Sequence, residues 1–170
     1  VMLSHKNIID NVFKTDKSLD LSGSHKRIIS YLPICHIFER AASYYYQYLG
    51  YQVYFAESIE LLGDNIREIK PHFLAVVPRL LEKIFDKIVA KGSALSGIKK
   101  RLFFWAISLG EQYEPYGKNV TFYAFKLSIA RTLIFSKWQE ALGGHLEFML
   151  SGSAPMQDRL IRIFLAAGIP

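Results

Sequence analysis

Ile69-Lys70-Pro71-His72-Phe73-Leu74-Ala75-Val76-Val77-Pro78-Arg79-Leu80-Leu81-Glu82-Lys83-Ile84 is the stretch whose reading decides the fold. Its middle, 73–77, is an unbroken apolar run of the kind found in strands covered on both faces. Pro78 ends that run and the period changes. Over 79–91, Leu81, Ile84, Phe85 and Ile88 recur at helical spacing, and Gly92 follows as a stop. Upstream, 58–70 carries Ile59, Leu62, Ile66 and Ile69 on one helical face and halts before Pro71. With the β-rich run 51–55 before them, strand, helix, strand and helix in this order imply right-handed crossovers and a parallel sheet.

Working outward, 27–32, 51–55 and 146–150 are further short β-rich runs bounded by Gly, Pro or polar residues. The run 37–48 reads as a helix ending at Gly50. Two more helices, 98–112 and 120–142, are joined by the turn-like Glu114-Pro115-Tyr116-Gly117-Lys118-Asn119. The expectation is an α/β fold: a parallel sheet of about four strands (27–32, 51–55, 72–77 and 146–150) with helices on both faces. A helical pair at about 93–144 is inserted before the last strand. No internal repeat or low-complexity segment interrupts this pattern.

A chain of 170 residues suits one compact domain with a sizeable core. A hydrophobic fraction of 51%, with ten Tyr and twelve Phe, excludes intrinsic disorder. The net charge of +6 fits either an anionic partner or an ordinary basic surface. Cys35 is the single cysteine, so no intramolecular disulfide forms and a reducing, cytoplasmic setting is expected. The opening Val1-Met2-Leu3-Ser4-His5 lacks the basic-then-apolar order of a secretion signal. The ending Ala167-Gly168-Ile169-Pro170 reads as a chain interrupted in mid-turn. The longest apolar stretch, 102–109, falls well short of the roughly 20 residues of a membrane span.

Open parallel sheets bind ligands beyond the carboxyl ends of their strands. The segments to inspect are therefore Pro33-Ile34-Cys35-His36, Ala56-Glu57, Pro78-Arg79 and Ser151-Gly152-Ser153-Ala154-Pro155. Pro33 ends the first strand and places His36 at that rim. Gly152, Ser153 and Ala154 offer little bulk and accessible backbone groups. Ser153 with Pro155 also reads as a helix N-cap, and Ser4 as the cap of a helix through Ile9 and Val12. Arg79 reads as structural rather than ligand-binding. A Cys35 nucleophile beside His36 is a poor pair, because adjacent residues rarely aim their side chains at each other. The histidines are scattered and no metal-ligand spacing is present, so no metal site is expected in this chain.

Together these segments resemble a known family. Leu32-Pro33-Ile34-Cys35-His36-Ile37-Phe38-Glu39-Arg40 is similar to the Leu-Pro-Leu-x-His-x-x-Glu-Arg signature of long-chain acyl-CoA synthetases, in the adenylate-forming, AMP-binding superfamily. Ser151-Gly152-Ser153-Ala154-Pro155-Met156 is similar to the family's Ser-Gly-Gly-Ala-Pro-Leu segment, with Ser153 in place of the commoner glycine. Val1-Met2-Leu3-Ser4-His5 matches the residues that follow the family's phosphate-binding loop. Val77-Pro78-Arg79-Leu80-Leu81-Glu82-Lys83 matches its Val-Pro-Arg-x-x-Glu-Lys helix. The four matches come in the family's order across the whole chain.

The resemblance implies an internal piece of the N-terminal adenylating domain of a long-chain fatty acid–CoA ligase. By resemblance His36 borders the acyl and adenylate groups, and Gly152, Ser153, Ala154 and Pro155 form a wall for adenine. ATP, Mg2+ and coenzyme A are the implied cofactor and substrates, with a fatty acid as the acyl donor. The family's phosphate loop, Tyr-Gly-x-Thr-Glu motif and adenylation lysine are not in these 170 residues. The chain alone is therefore expected to hold no catalytic residue and to be inactive. Nucleic acid is not an expected partner. Ile98-Lys99-Lys100-Arg101-Leu102-Phe103-Phe104-Trp105 joins cations to an apolar run, so 98–138 is either a packed helical pair or a peripheral membrane contact. A membrane-attached module without catalysis is the alternative reading from a different class.

Overall fold

A computed structural model describes residues 2–19, 25–115 and 121–170. In chain order it contains α1 (His5–Ser18), β1 (Arg27–Ser30), α2 (Ile37–Tyr48), β2 (Gln52–Phe55), α3 (Leu62–Ile69), β3 (Phe73–Val76) and α4 (Pro78–Ser93). There follow α5 (Gly97–Glu111), α6 (Thr121–Ala130), a π-helical turn (Arg131–Phe135), α7 (Ser136–Ala141), β4 (Phe148–Ser151) and α8 (Asp158–Ala166).

The four strands form one sheet in the order β2-β1-β3-β4, and every neighbouring pair is parallel. Alternate residues of the apolar strands face opposite sides, as a pleated backbone requires. Ile28, Phe73 and Ala75 pack with Tyr46 of α2, whereas Ile29, Leu74 and Val76 pack with Leu62 and Ile66 of α3. Both faces are thus covered, which explains why 73–76 is apolar throughout. After β1 the chain moves out to β2 and then returns to the other side of β1 as β3. This reversal makes the carboxyl ends of β1 and β3 the switch point of the sheet.

Three sequence expectations need correction. The helix expected over 58–70 begins only at Leu62, because Ser58–Leu61 forms a turn in which Ser58 Oγ accepts the Leu61 N–H at 3.2 Å. The helix expected over 120–142 is broken by the π turn at Arg131–Phe135. The Thr132 and Ser136 hydroxyls donate back to the Ser128 and Thr132 carbonyls at 3.1 and 2.9 Å, side-chain bonding that competes with the regular ladder. The third correction concerns Ser153, which does not cap a helix: α8 starts at Asp158, with Gln157 at its cap. Residues 116–119 of the expected turn lie outside the described residues.

The largest apolar cluster joins α4, α5, α6, α7 and α8. Trp138 sits at its centre, with its ring within 5.0–6.4 Å of those of Phe85, Phe103, Phe135 and Phe164. Each such buried aromatic contributes about 1.5–3 kcal/mol by leaving water. α5, α6 and α7 therefore share a core with α4 and α8. Arg131 adds a tie, donating from Nε to the Ala166 carbonyl at 2.8 Å where the α8 carbonyls run out of helical partners.

Candidate functional site

At the carboxyl edge of the sheet two helix N-termini frame a cleft. Ser4 caps α1 in a reciprocal box: its Oγ accepts the Asn7 N–H at 3.3 Å, while Asn7 Oδ1 accepts the Ser4 N–H at 2.9 Å. His36 caps α2, with Nδ1 accepting the Phe38 N–H at 3.2 Å while the His36 backbone N–H donates to the Pro33 carbonyl at 2.9 Å. With Nδ1 committed as an acceptor, the neutral ring carries its proton on Nε2. Val12 of α1 and Tyr45 of α2 pack together and hold the two helices side by side.

The cleft measures about 480 Å³ and is lined by Leu3, Asn7, Ile8 and Asn11 on the α1 side, and by His36, Ile37, Phe38 and Ala41 on the α2 side. Ser153, beyond β4, closes it. His36 and Ser153, which lie far apart in sequence, therefore border one hollow. Gly152 stands behind Phe38, and its N–H donates to the Val76 carbonyl at 3.2 Å. Ala154 and Pro155 are exposed and do not line the cleft. Ser153 adopts φ 75°, in the left-handed region where a glycine would be unstrained. Its departure from the family's glycine thus carries a backbone cost.

Sequence reasoning missed Glu39. It is only 1% exposed and accepts a hydrogen bond from Ser30 Oγ at 2.5 Å. Burial pushes its carboxyl above the usual range, and the Ser30 hydroxyl partly opposes this. Tyr31 beside it donates from its hydroxyl to the Ala75 carbonyl at 2.6 Å, and burial pushes the phenol up, with the Glu39 charge adding to it. The available signal was spacing: Glu39, Ala42 and Tyr46 occupy one inward face of α2.

The remaining candidates separate. Cys35 is exposed and lines a different hollow, with Arg40 and Tyr44, while His36 faces the main cleft. Arg79 is exposed at the start of α4 and makes no hydrogen bond or ion pair with the described residues, so the structural role expected of it finds no polar contact. Among the described residues no three His, Cys, Asp or Glu side chains gather as metal ligands. No described helix is long and apolar enough to cross a membrane.

Comparison with known proteins identifies the family and the fold. The chain is 32% identical to the human long-chain-fatty-acid–CoA ligase ACSBG2 over 178 residues, covering 100% of this chain and 26% of that protein. It is 32% identical to fatty acyl-CoA synthetase A of Dictyostelium discoideum, over 98% of this chain and 24% of that one. The chain thus spans about a quarter of the length of these relatives. Its fold matches the adenylation domain of a carboxylate reductase from Mycobacterium chelonae, with a TM-score of 0.64 at 19% identity over 94% of this chain and 21% of that one. It also matches the N-terminal domain of FACL13 from Mycobacterium tuberculosis, with a TM-score of 0.59 at 15% identity over 99% of this chain and 31% of that one. The family described as AMP-binding enzyme matches residues 1–170 without a gap at either end, and the chain belongs to that family.

Proposed function

We propose that this chain is part of the N-terminal adenylating domain of a long-chain fatty acid–CoA ligase, with 93–144 as a helical elaboration of that domain. In the reaction a carboxylate oxygen of the fatty acid attacks the α-phosphorus of ATP and pyrophosphate leaves. The coenzyme A thiol then attacks the acyl carbonyl and AMP leaves. The chain's part is to hold the reactants in register, which supplies much of the rate of such a transfer. His36 borders the acyl and adenylate groups, and its Nε2–H is a donor suited to a carboxylate or phosphate oxygen. The adenine wall is assigned to the loop Gly152, Ser153, Ala154 and Pro155, of which Ser153 is the residue that lines the cleft. Magnesium would neutralise phosphate charge, and nothing assigns its ligands to this chain.

One observation carries the reading: the cleft at the carboxyl edge of the sheet brings His36, after β1, and Ser153, after β4, to the same hollow. The test is pyrophosphate release by the full-length protein, with ATP, a long-chain fatty acid and coenzyme A supplied together and then omitted singly. Release that does not depend on the fatty acid refutes the assignment.

Contact with a membrane surface through 98–138 is the second element of the reading. It is favoured by apolar side chains on α6 that no described residue covers.

A further inference from the structure

The residues that join β1 to α2, from Pro33 to Ile37, are all exposed, His36 among them. Little packing of their own side chains therefore locates the imidazole over the cleft. The loop is held instead from its flanks. Before it, the Tyr31 hydroxyl donates to the Ala75 carbonyl of β3 at 2.6 Å. After it, Glu39 turns inward from the first turn of α2 and accepts the hydroxyl of Ser30, the last residue of β1, at 2.5 Å. One side-chain bond thus closes residues 31–38 into a loop that contains His36. The imidazole is fastened to the same helical turn, because Nδ1 accepts the Phe38 N–H and the His36 carbonyl accepts the Arg40 N–H at 3.1 Å. Moving that turn moves the ring.

The Ser30–Glu39 bond is kept at a cost. Glu39 is buried, its neighbours Tyr31 and Tyr46 feel its charge, and no Lys or Arg pairs with it among the described residues. An apolar side chain of similar size would fill this place with less loss of hydration. It would, however, make no directional bond. The other side-chain hydrogen bonds at this turn, between His36 and Phe38 and from Ser43 to the Glu39 carbonyl, stay within α2 and its cap. Glu39 is therefore the group that ties the turn to the sheet with a defined direction, while the ring of Phe38 against Gly152 supplies an apolar stop on the β4 side.

We infer that Glu39 is a positioning residue: by bonding Ser30 it fixes the first turn of α2 on the end of β1 and so aims His36 into the cleft. Its consequence for turnover rests on the ligase reading above, whereas its consequence for the place of the ring does not. A shift of about 1 Å in a positioning group can slow a reaction by about a hundredfold, so a bond remote from the substrate suffices to matter.

The test uses the full-length protein. Glu39→Leu should lower kcat/KM for a long-chain fatty acid roughly ten- to a hundredfold, with KM for ATP changed by less than about twofold. Ser30→Ala breaks the same bond from its other end and should act in the same direction; where Glu39→Leu does not fold, it carries every arm of the test. Glu39→Gln retains an oxygen that accepts from Ser30 and should bring kcat/KM back to within about threefold of the parent. Added to His36→Ala, Glu39→Leu should cost less than about a further twofold, because the group it positions is gone. Full multiplication of the two losses overturns the inference, as does a Gln variant as impaired as the Leu variant, or an equal loss toward ATP. Crystal structures of the parent and the Glu39→Leu protein give a readout free of activity. In the variant the 3.2 Å contact from the Phe38 N–H to His36 Nδ1 should be broken or the ring withdrawn from the cleft. A ring that stays in place overturns the inference, whatever the protein catalyses. A parent protein without fatty-acid-dependent pyrophosphate release refutes the ligase reading, and the crystal structures then decide the role of Glu39.

Discussion

The ring of Phe38 lies so close to the backbone of Gly152 that a Cβ on Gly152 would stand 2.2 Å from Phe38 Cε2. The start of α2 is thereby keyed to the end of β4 at the rim of the cleft. Gly152→Ala should displace Phe38 and cost about 1–3 kcal/mol, the usual range for overpacking. In a Phe38→Ala background the same substitution should cost less than about 0.5 kcal/mol, because the obstructing ring is gone. Urea titrations of the four proteins measure the coupling, and additive costs would place the Gly152 constraint elsewhere.

His36 and Ala154 should divide the substrates. On the proposed placement of the substrates, His36→Ala removes a donor beside the acyl group and should chiefly impair use of the fatty acid, by roughly 1–3 kcal/mol, or about one to two powers of ten in kcat/KM. Ala154→Phe adds bulk next to Ser153 and should instead weaken ATP binding. Steady-state kinetics with each substrate varied in turn checks this. ATP kinetics unaltered by Ala154→Phe would remove that residue from the adenine wall.

The buried Glu39 should leave a mark on the pH dependence of stability. Burial raises its pKa above the ordinary 4.5. The native state then binds the proton more tightly than the unfolded chain does. The resulting stabilisation is complete below 4.5 and is lost as pH rises through the folded value. Glu39→Gln should therefore be more stable than the parent at neutral pH, with an advantage that shrinks toward acid. Ser30→Ala, which strands the carboxylate, should cost about 1–3 kcal/mol at neutral pH. Urea midpoints across a pH series test both, and an advantage of Glu39→Gln that grows toward acid would contradict the assignment.

His72 works in the opposite direction at the amino edge of the sheet. Its Nδ1 accepts the Arg27 N–H at 3.0 Å, and burial, followed by the Arg27 charge, lowers its pKa from the ordinary 6.5. Stability from the neutral ring is complete above 6.5 and lost as pH falls through the folded value. The urea midpoint should drop on acidification below 6.5. His72→Asn, which keeps an acceptor but does not titrate, should flatten that drop. An equally steep fall in the variant would show that another group is responsible.

The sequence alone determined what depends on neighbours along the chain. The 73–77 run signalled a strand buried on both faces, because a doubly covered strand has no polar side to show. The span Ile37–Tyr48 emerged as a helix with those same ends, and Ser4 was recognised as a cap, because capping is settled within four residues. Tertiary structure decided the rest. Adjacency at the sheet edge follows from the strand order β2-β1-β3-β4, which alone brings His36 and Ser153 to one cleft. The small size of Gly152 suggested room for a ligand, yet the group pressed against it is Phe38, from a helix more than a hundred residues earlier in the chain. The π turn inserts one residue into a period that still reads as helical. The buried Glu39 is tolerated because the Ser30 hydroxyl satisfies it, and the left-handed backbone of Ser153 is a state that no local residue pattern announces. Local pattern is set by the chain's own bonding, whereas a site is set by which chain ends the core brings together.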